Sequence, residues 1–375
     1  MKPSTSSFAL NVALKAALLF VLLNLAYIST NPSSSLGRIS AYNHLFPGRH
    51  RLPYGDNPER SYNLSLYNLD AMFASHEIAA GEKPVDEYRI VIIGDSSTWG
   101  FLLSPHETLT SQINRGRYQL EDGRLLRAYN LGYPVMSLTK DLLILVRALR
   151  YEADLIVWSF TLESFPYNKQ LFPPLLQNNP AVVNELISDH QLTLEPLALQ
   201  PSQPIWERSI LAQRRDLADV LRLQLYGVLW AATGIDQDIP VEFPSRQEDL
   251  SADSSFHDLQ PPQLRESDLA LEVIEAGVRL ASDIPVLLVN EPVFISQGQN
   301  SDVRYNFYYP RWAYDDYRKI MTQQAASRSW MYFDFWDAVP SQEFTNTAIH
   351  LTPTGTRMLA ESIAAAILKV AEASR

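Results

Sequence analysis

Two residues whose types can do chemistry together stand far apart in this 375-residue chain, Ser96 and His350. Ser96 closes the stretch Arg89-Ile-Val-Ile-Ile-Gly94-Asp95-Ser96, so an apolar strand delivers a serine at its carboxyl end. In open α/β sheets that end borders the ligand crevice, and a serine on a tight strand-to-helix turn presents its hydroxyl beside backbone N–H groups. Serine is a weak nucleophile at neutral pH unless a base takes its proton, and histidine is the commonest such base. His44 and His50 fall in an irregular segment, His76 precedes the first strand, and His190 and His257 fall in the long insertion between the third and fourth strands. His350 lies in Asn346-Thr-Ala-Ile-His-Leu-Thr-Pro-Thr-Gly355, between a last strand and a terminal helix, which returns it to the same sheet edge. The pair would attack an acyl carbon and pass a proton through the imidazole. His106, just downstream of the serine, is a competing base.

The elements that must position this pair follow a β-α-β-α-β order. Arg89 to Ile93, Leu125 to Leu131 and Asp154 to Phe160 read as strands, with helices near Thr108 to Ile113 and over Thr139 to Arg150. Continuous apolar runs such as Leu155 to Phe160 fit strands covered on both faces. Ile284 to Asn290 and Trp330 to Phe335 add two more strands, with helices over Tyr314 to Ala326 and Pro353 to Ala371. A doubly wound, flavodoxin-like parallel sheet is expected. The roughly 120 residues between the third and fourth strands exceed an ordinary crossover and read as a largely helical insertion over 165–283. Within it, Trp206 to Thr233 has helical spacing. Its apolar face is expected to complete the core, with a lid or membrane-skimming role as the alternative. A mobile loop is expected around Ser245 to Ser255.

Composition excludes several classes. A net charge of −11 with no Lys/Arg cluster argues against a nucleic-acid partner. The absence of cysteine removes disulfides, thiolate metal sites and cysteine nucleophiles. No His/Asp/Glu spacing suggests a metal, and no glycine-rich phosphate loop or other cofactor signature is present. Phe8 to Ile28 is mostly apolar and, as a helix of about 31 Å, would span one bilayer core. Lys2 and Lys15 lie at its start and no acidic residue occurs before Asp56, which orients the remainder outward. Residues 1–30 therefore read as a single-pass signal anchor and 31–88 as a membrane-proximal wrap, with cleavage of the anchor as the alternative.

Together, Gly94-Asp95-Ser96 after the first strand, Tyr129-Asn-Leu-Gly132-Tyr-Pro134 after the second and His350-Leu-Thr-Pro-Thr-Gly355 before the last helix resemble the SGNH hydrolase (GDSL esterase) superfamily. The resemblance covers 89–164 and 284–375. It implies that Ser96 is the nucleophile, that His350 is the base, and that the N–H groups of Ser96 and Gly132 stabilise an oxyanion. It departs from the family in two places. Where the family carries an asparagine after its third strand, this chain has Ser159-Phe-Thr-Leu-Glu-Ser164, which leaves Thr161 as a candidate donor and sets Glu163 near the asparagine's place. Where the family's aspartate orients the histidine, Thr347 stands, leaving Asn346, Asp334 or Asp337 to take that role, or the backbone to orient the ring of a Ser-His dyad. Asp95, Glu163, Glu291 at the end of the fourth strand and Arg304 in an aromatic-rich loop are candidates for substrate binding. Joined to the outward-facing anchor read from residues 1–30, the resemblance implies a membrane-anchored, extracytoplasmic serine esterase or O-acyltransferase acting on acyl, above all acetyl, esters of a carbohydrate or envelope polymer. Two alternatives stay open: a catalytically impaired glycan-binding or scaffold protein, and a lipid-ester hydrolase.

Overall fold

The computed structural model describes residues 5–30, 32, 36, 39–46, 54–57, 69–198, 205–234 and 246–373. Much of the expected wrap, and the polar stretch before residue 246, lie outside them. Five strands, β1 (Glu87–Ile93), β2 (Leu125–Asn130), β3 (Leu155–Phe160), β4 (Val286–Asn290) and β5 (Met331–Asp334), form one parallel sheet in the order β2-β1-β3-β4-β5. This is the doubly wound order expected. Every residue of β1, β3 and β4 is buried, which is why these strands are continuous apolar runs without alternation. The strand order reverses between β1 and β3, so the crevice of such a sheet opens beyond their carboxyl ends.

The helices that carry the argument are α1 (Thr5–Thr30), α2 (Ser96–Trp99), α3 (Leu109–Arg115), α4 (Leu138–Ala148), α5 (Arg214–Thr233), α6 (Leu271–Ala281), α7 (Arg311–Arg328) and α8 (Pro353–Ala373). α8 packs on α3, and α4 packs on α6. The α6–β3 contact is very close. Gly277 of α6 lies against buried Trp158 of β3, and a Cβ at 277 would lie 3.0 Å from Trp158 Cη2 and nearer still to Cζ3. The stretch 165–283 thus contributes α6 to the layer that covers the sheet, together with short helices over Tyr167–Gln170, Pro174–Gln177 and Pro180–His190. Residues 246–255 include a segment fastened by Arg304, whose guanidinium donates to the carbonyls of Asp253 and Ser255 at 2.7 and 3.2 Å.

α1 is long and apolar enough to cross a membrane, and its side chains from Phe8 to Leu25 are mostly exposed. α5 differs from expectation. Its apolar residues do not complete the sheet's core: Val220, Trp230 and Ala231 pack on Tyr42 and Phe46 beside the short helix Ala41–Leu45, while Leu221, Leu225 and Leu229 are exposed. Helical spacing reports a face, and cannot report which neighbour covers it.

Candidate active site

β1 ends at Ile93, and the chain turns through Gly94 and Asp95 into α2, whose first residue is Ser96. Asp95 is the N-cap. Its Oδ1 accepts the Ser97 N–H at 2.8 Å, holding the turn that presents Ser96. As the first residue of the helix, Ser96 has a backbone N–H with no intrahelical acceptor. From the other end of the chain, Thr352 starts α8: its hydroxyl accepts the Gly355 N–H at 3.1 Å and Pro353 occupies the first helical position. This start places the preceding loop over α2, and His350 Nε2 lies 2.9 Å from Ser96 Oγ across 254 residues of sequence.

The imidazole is oriented by an amide. His350 Nδ1 lies 3.3 Å from Asn346 Oδ1, an arrangement that puts the ring proton on Nδ1 and leaves the Nε2 lone pair for the Ser96 hydroxyl. Thr347, at the position the family gives to aspartate, serves the backbone instead. Its Oγ1 accepts the N–H groups of His350 at 3.1 Å and Ile349 at 3.3 Å, and so shapes the loop rather than the ring. Phe101 packs on the imidazole with ring centroids 4.7 Å apart. Burial lowers the His350 pKa to about 4, so the ring is neutral and able to accept a proton at ordinary pH.

The other residues singled out from sequence fall into different roles. Asp334 is drawn away from the histidine by Arg318 Nε at 2.8 Å and Asn290 Nδ2 at 2.8 Å, and Asp337 is exposed beyond β5, so the ring faces Asn346 rather than either acid. Gly132 approaches α2 as closely as only glycine can, since a Cβ would lie 2.7 Å from the Thr98 carbonyl carbon. Its N–H, however, donates to Asn130 Oδ1 at 3.0 Å. Thr161 is buried with its hydroxyl 2.5 Å from that of Tyr309. Glu163 is also buried, its carboxylate paired with Lys169 and 3.0 Å from His257 Nε2. Glu291 accepts the Thr98 hydroxyl at 3.1 Å beneath α2 rather than facing a crevice. Arg304 donates to five backbone carbonyls, those of Asp253, Ser255, Asn306, Phe307 and Tyr308, which makes it a fastener of two loops rather than a ligand for substrate. His106 is exposed and turns to the Ser104 hydroxyl at 3.1 Å.

A buried acid cluster underlies the turn. Burial raises both Asp95 and Glu291, and the charge of the nearby Asp95 adds to the rise of Glu291, which reaches about 8. Lys140 was not legible as part of the site, since it reads as one polar residue in an amphipathic helix. It is fully buried, donates to Gly94 O at 2.8 Å and to Tyr133 O, and pairs with Asp141, tying the ends of β1 and β2 together. Beside His350 lies a recess of about 280 Å³ including its open mouth, lined by Ser97, Phe101, Leu103, Leu109, Leu351 and Leu359 among others. No group of His, Asp and Glu able to hold a metal occurs among the described residues.

Neither a family model nor a curated protein matches the chain. Among solved structures, the lipase/acylhydrolase from Enterococcus faecalis is 15% identical, with 75% of this chain and 95% of that one covered at a TM-score of 0.36. A carbohydrate acetylesterase family member from Sinorhizobium meliloti is 10% identical, covering 74% and 96% at 0.32. The aryl esterase of M. smegmatis is 13% identical, covering 74% and 97% at 0.34. Fold and site define an α/β protein with a serine–histidine pair at the switch point of a doubly wound sheet.

Proposed function

We propose that this protein is a serine esterase of the SGNH type, working by an acyl-enzyme. The observation that carries this reading is the 2.9 Å approach of Ser96 Oγ to a neutral His350 whose other nitrogen faces Asn346. Ser96 Oγ attacks the ester carbonyl carbon while its proton passes to Nε2. The tetrahedral oxyanion collapses, the C–O bond to the alcohol breaks, and Nε2 returns the proton to the leaving oxygen. Water then attacks the acyl-serine, giving its proton to Nε2, and the carboxylic acid leaves as Ser96 is reprotonated. A sugar hydroxyl in the place of water would make the same machinery an O-acyltransferase.

Oxyanion support is sparse. The Ser96 N–H is available at the start of α2, whereas Gly132 must release Asn130 Oδ1 to donate. Loss of one such donor costs about 10²–10³ in rate, so slow turnover follows. The recess beside His350 is narrow and has polar as well as apolar lining, which disfavours a long acyl chain and leaves a short one such as acetyl as the better fit. An acetylated carbohydrate or envelope polymer is the substrate class that joins a short acyl group to an outward-facing, membrane-anchored domain. The occupied Gly132 N–H and Thr161 hydroxyl favour a second reading, a binding protein that has lost turnover.

The deciding experiment is hydrolysis of p-nitrophenyl acetate by the detergent-solubilised full chain beside Ser96→Ala and His350→Ala. Activity abolished in both variants is the expected result. No activity in the parent chain, together with no labelling of Ser96 by a fluorophosphonate, would leave the binding protein standing.

A further inference from the structure

The amphipathic helix α5 has two apolar faces, and only one has a partner among the described residues. At 100° per residue, Val220, Gln224 and Ala231 share one side of the helix and Leu221, Leu225 and Leu229 another. The first side is held to the segment 39–46: Gln224 accepts the Ala41 N–H at 2.6 Å and donates to Ile39 O at 3.0 Å, and Ala231 packs on Tyr42. The second side is open, with Leu221, Leu225 and Leu229 exposed by 66%, 65% and 57%, and Leu211 just before the helix exposed by 57%.

What covers this stripe is indicated by where the helix starts. The approach to α5 is fastened to the last turns of α1. The Ile210 N–H donates to Asn24 Oδ1 at 3.0 Å, and Tyr27 OH donates to Gln213 Oε1 at 2.8 Å. Asn24, a polar residue in an apolar helix, is satisfied on both sides, because its Nδ2 donates to Phe20 O at 2.9 Å. A span beginning at Phe8 uses about 20 residues to cross the hydrocarbon, which puts Asn24 and Tyr27 at the level where acyl chains meet headgroups. A helix that starts at that depth and carries a leucine stripe has lipid as the neighbour continuous with the surface α1 already exposes. The exposed Arg214, Arg215 and Arg222 can extend their heads to water while their stems lie along the apolar layer.

We propose that α5 is an interfacial helix, lying in the membrane surface with Leu221, Leu225 and Leu229 sunk into the leaflet from which α1 emerges. This rests on α1 spanning the membrane. The catalytic domain is then held at two points, one through the bilayer and one along it, which limits its tilt and fixes the height of the Ser96 crevice above the lipid.

The chain has no cysteine, so single-cysteine variants report without background. Full-length Leu225→Cys, Leu18→Cys and Thr322→Cys, each carrying an environment-sensitive fluorophore and reconstituted into phosphatidylcholine vesicles, are compared under shallow and deep spin-labelled lipids and under aqueous iodide. Thr322 lies exposed on α7 and reports water; Leu18 reports the span. The proposal expects the Leu225 label to lose most of its emission to shallow lipid quenchers and little to iodide. Iodide quenching equal to that at Thr322, with Leu18 quenched only by deep lipids, would overturn the interfacial helix and leave the anchor intact. Protection at residue 225 from both lipid and iodide would overturn it in favour of a second protein or a second copy. A Leu18 label open to iodide would overturn the anchor and the interfacial helix together.

Discussion

Replacing Asn346 by aspartate tests the assignment of the residue behind the histidine. The side chains are nearly isosteric, so the change adds a charge where the structure has a neutral acceptor 3.3 Å from His350 Nδ1. A carboxylate whose charge centre lies about 4 Å from the imidazolium favours the charged ring by about 4 kcal/mol at an effective dielectric constant of about 20. Desolvation of the new charge offsets part of this, and neighbours of this kind shift a pKa by about 1–3 units. His350, lowered to about 4 by burial, would rise to about 5–7. The base must be neutral to act, so the acid limb of kcat/KM moves up in pH by the same interval. The imidazolium that forms in the transition state is stabilised, so the plateau rises by about tenfold or more, at about 1.4 kcal/mol per factor of ten. A pH–rate profile with p-nitrophenyl acetate, parent beside variant, reads both effects. An unmoved acid limb with an unchanged plateau would refute the placement of Asn346 behind the ring.

Three further outcomes follow from residues outside the pair. Glu291, raised to about 8 by burial and the nearby Asp95, is protonated at neutral pH. A raised carboxyl contributes stability that is fully present below the ordinary carboxylate value of 4.5 and is lost as the pH climbs from there through about 8, so the urea midpoint should fall over that interval and level off above it. Glu291→Gln, which mimics the neutral acid, should flatten this fall, and an equally steep fall in the variant would rule Glu291 out as its source. Gly277→Ala drives a methyl group into the buried Trp158 ring and should cost about 1–3 kcal/mol in urea denaturation; unchanged stability would show that the α6–β3 contact is looser than described. Val85 is 97% exposed just before β1, so Val85→Cys should react with a membrane-impermeant maleimide on intact producing cells, and labelling only after lysis would place the domain on the cytoplasmic side.

The parallel sheet was readable from residue order because β1, β3 and β4 are buried on both faces, and such strands must be nearly continuous apolar runs. Ser96 and His350 were readable as candidates for a similar reason: each directly precedes or opens a helix at a strand's carboxyl edge, a property of local chain order. Side-chain direction was not. Glu291 and Arg304 were singled out by type and position, yet one lies beneath α2 and the other is spent on five carbonyls. The choice of Asn346 over Asp334 depends on Arg318, which reaches Asp334 from α7. Lys140 looked like an ordinary helix residue until β1 and β2 closed around it. Periodicity and turn chemistry act over a few residues and write themselves into the local pattern. Which hydrogen-bond acceptor a buried side chain reaches, and whether an apolar helix face meets the core or is left open as in α5, depends on elements brought together from distant parts of the chain by packing.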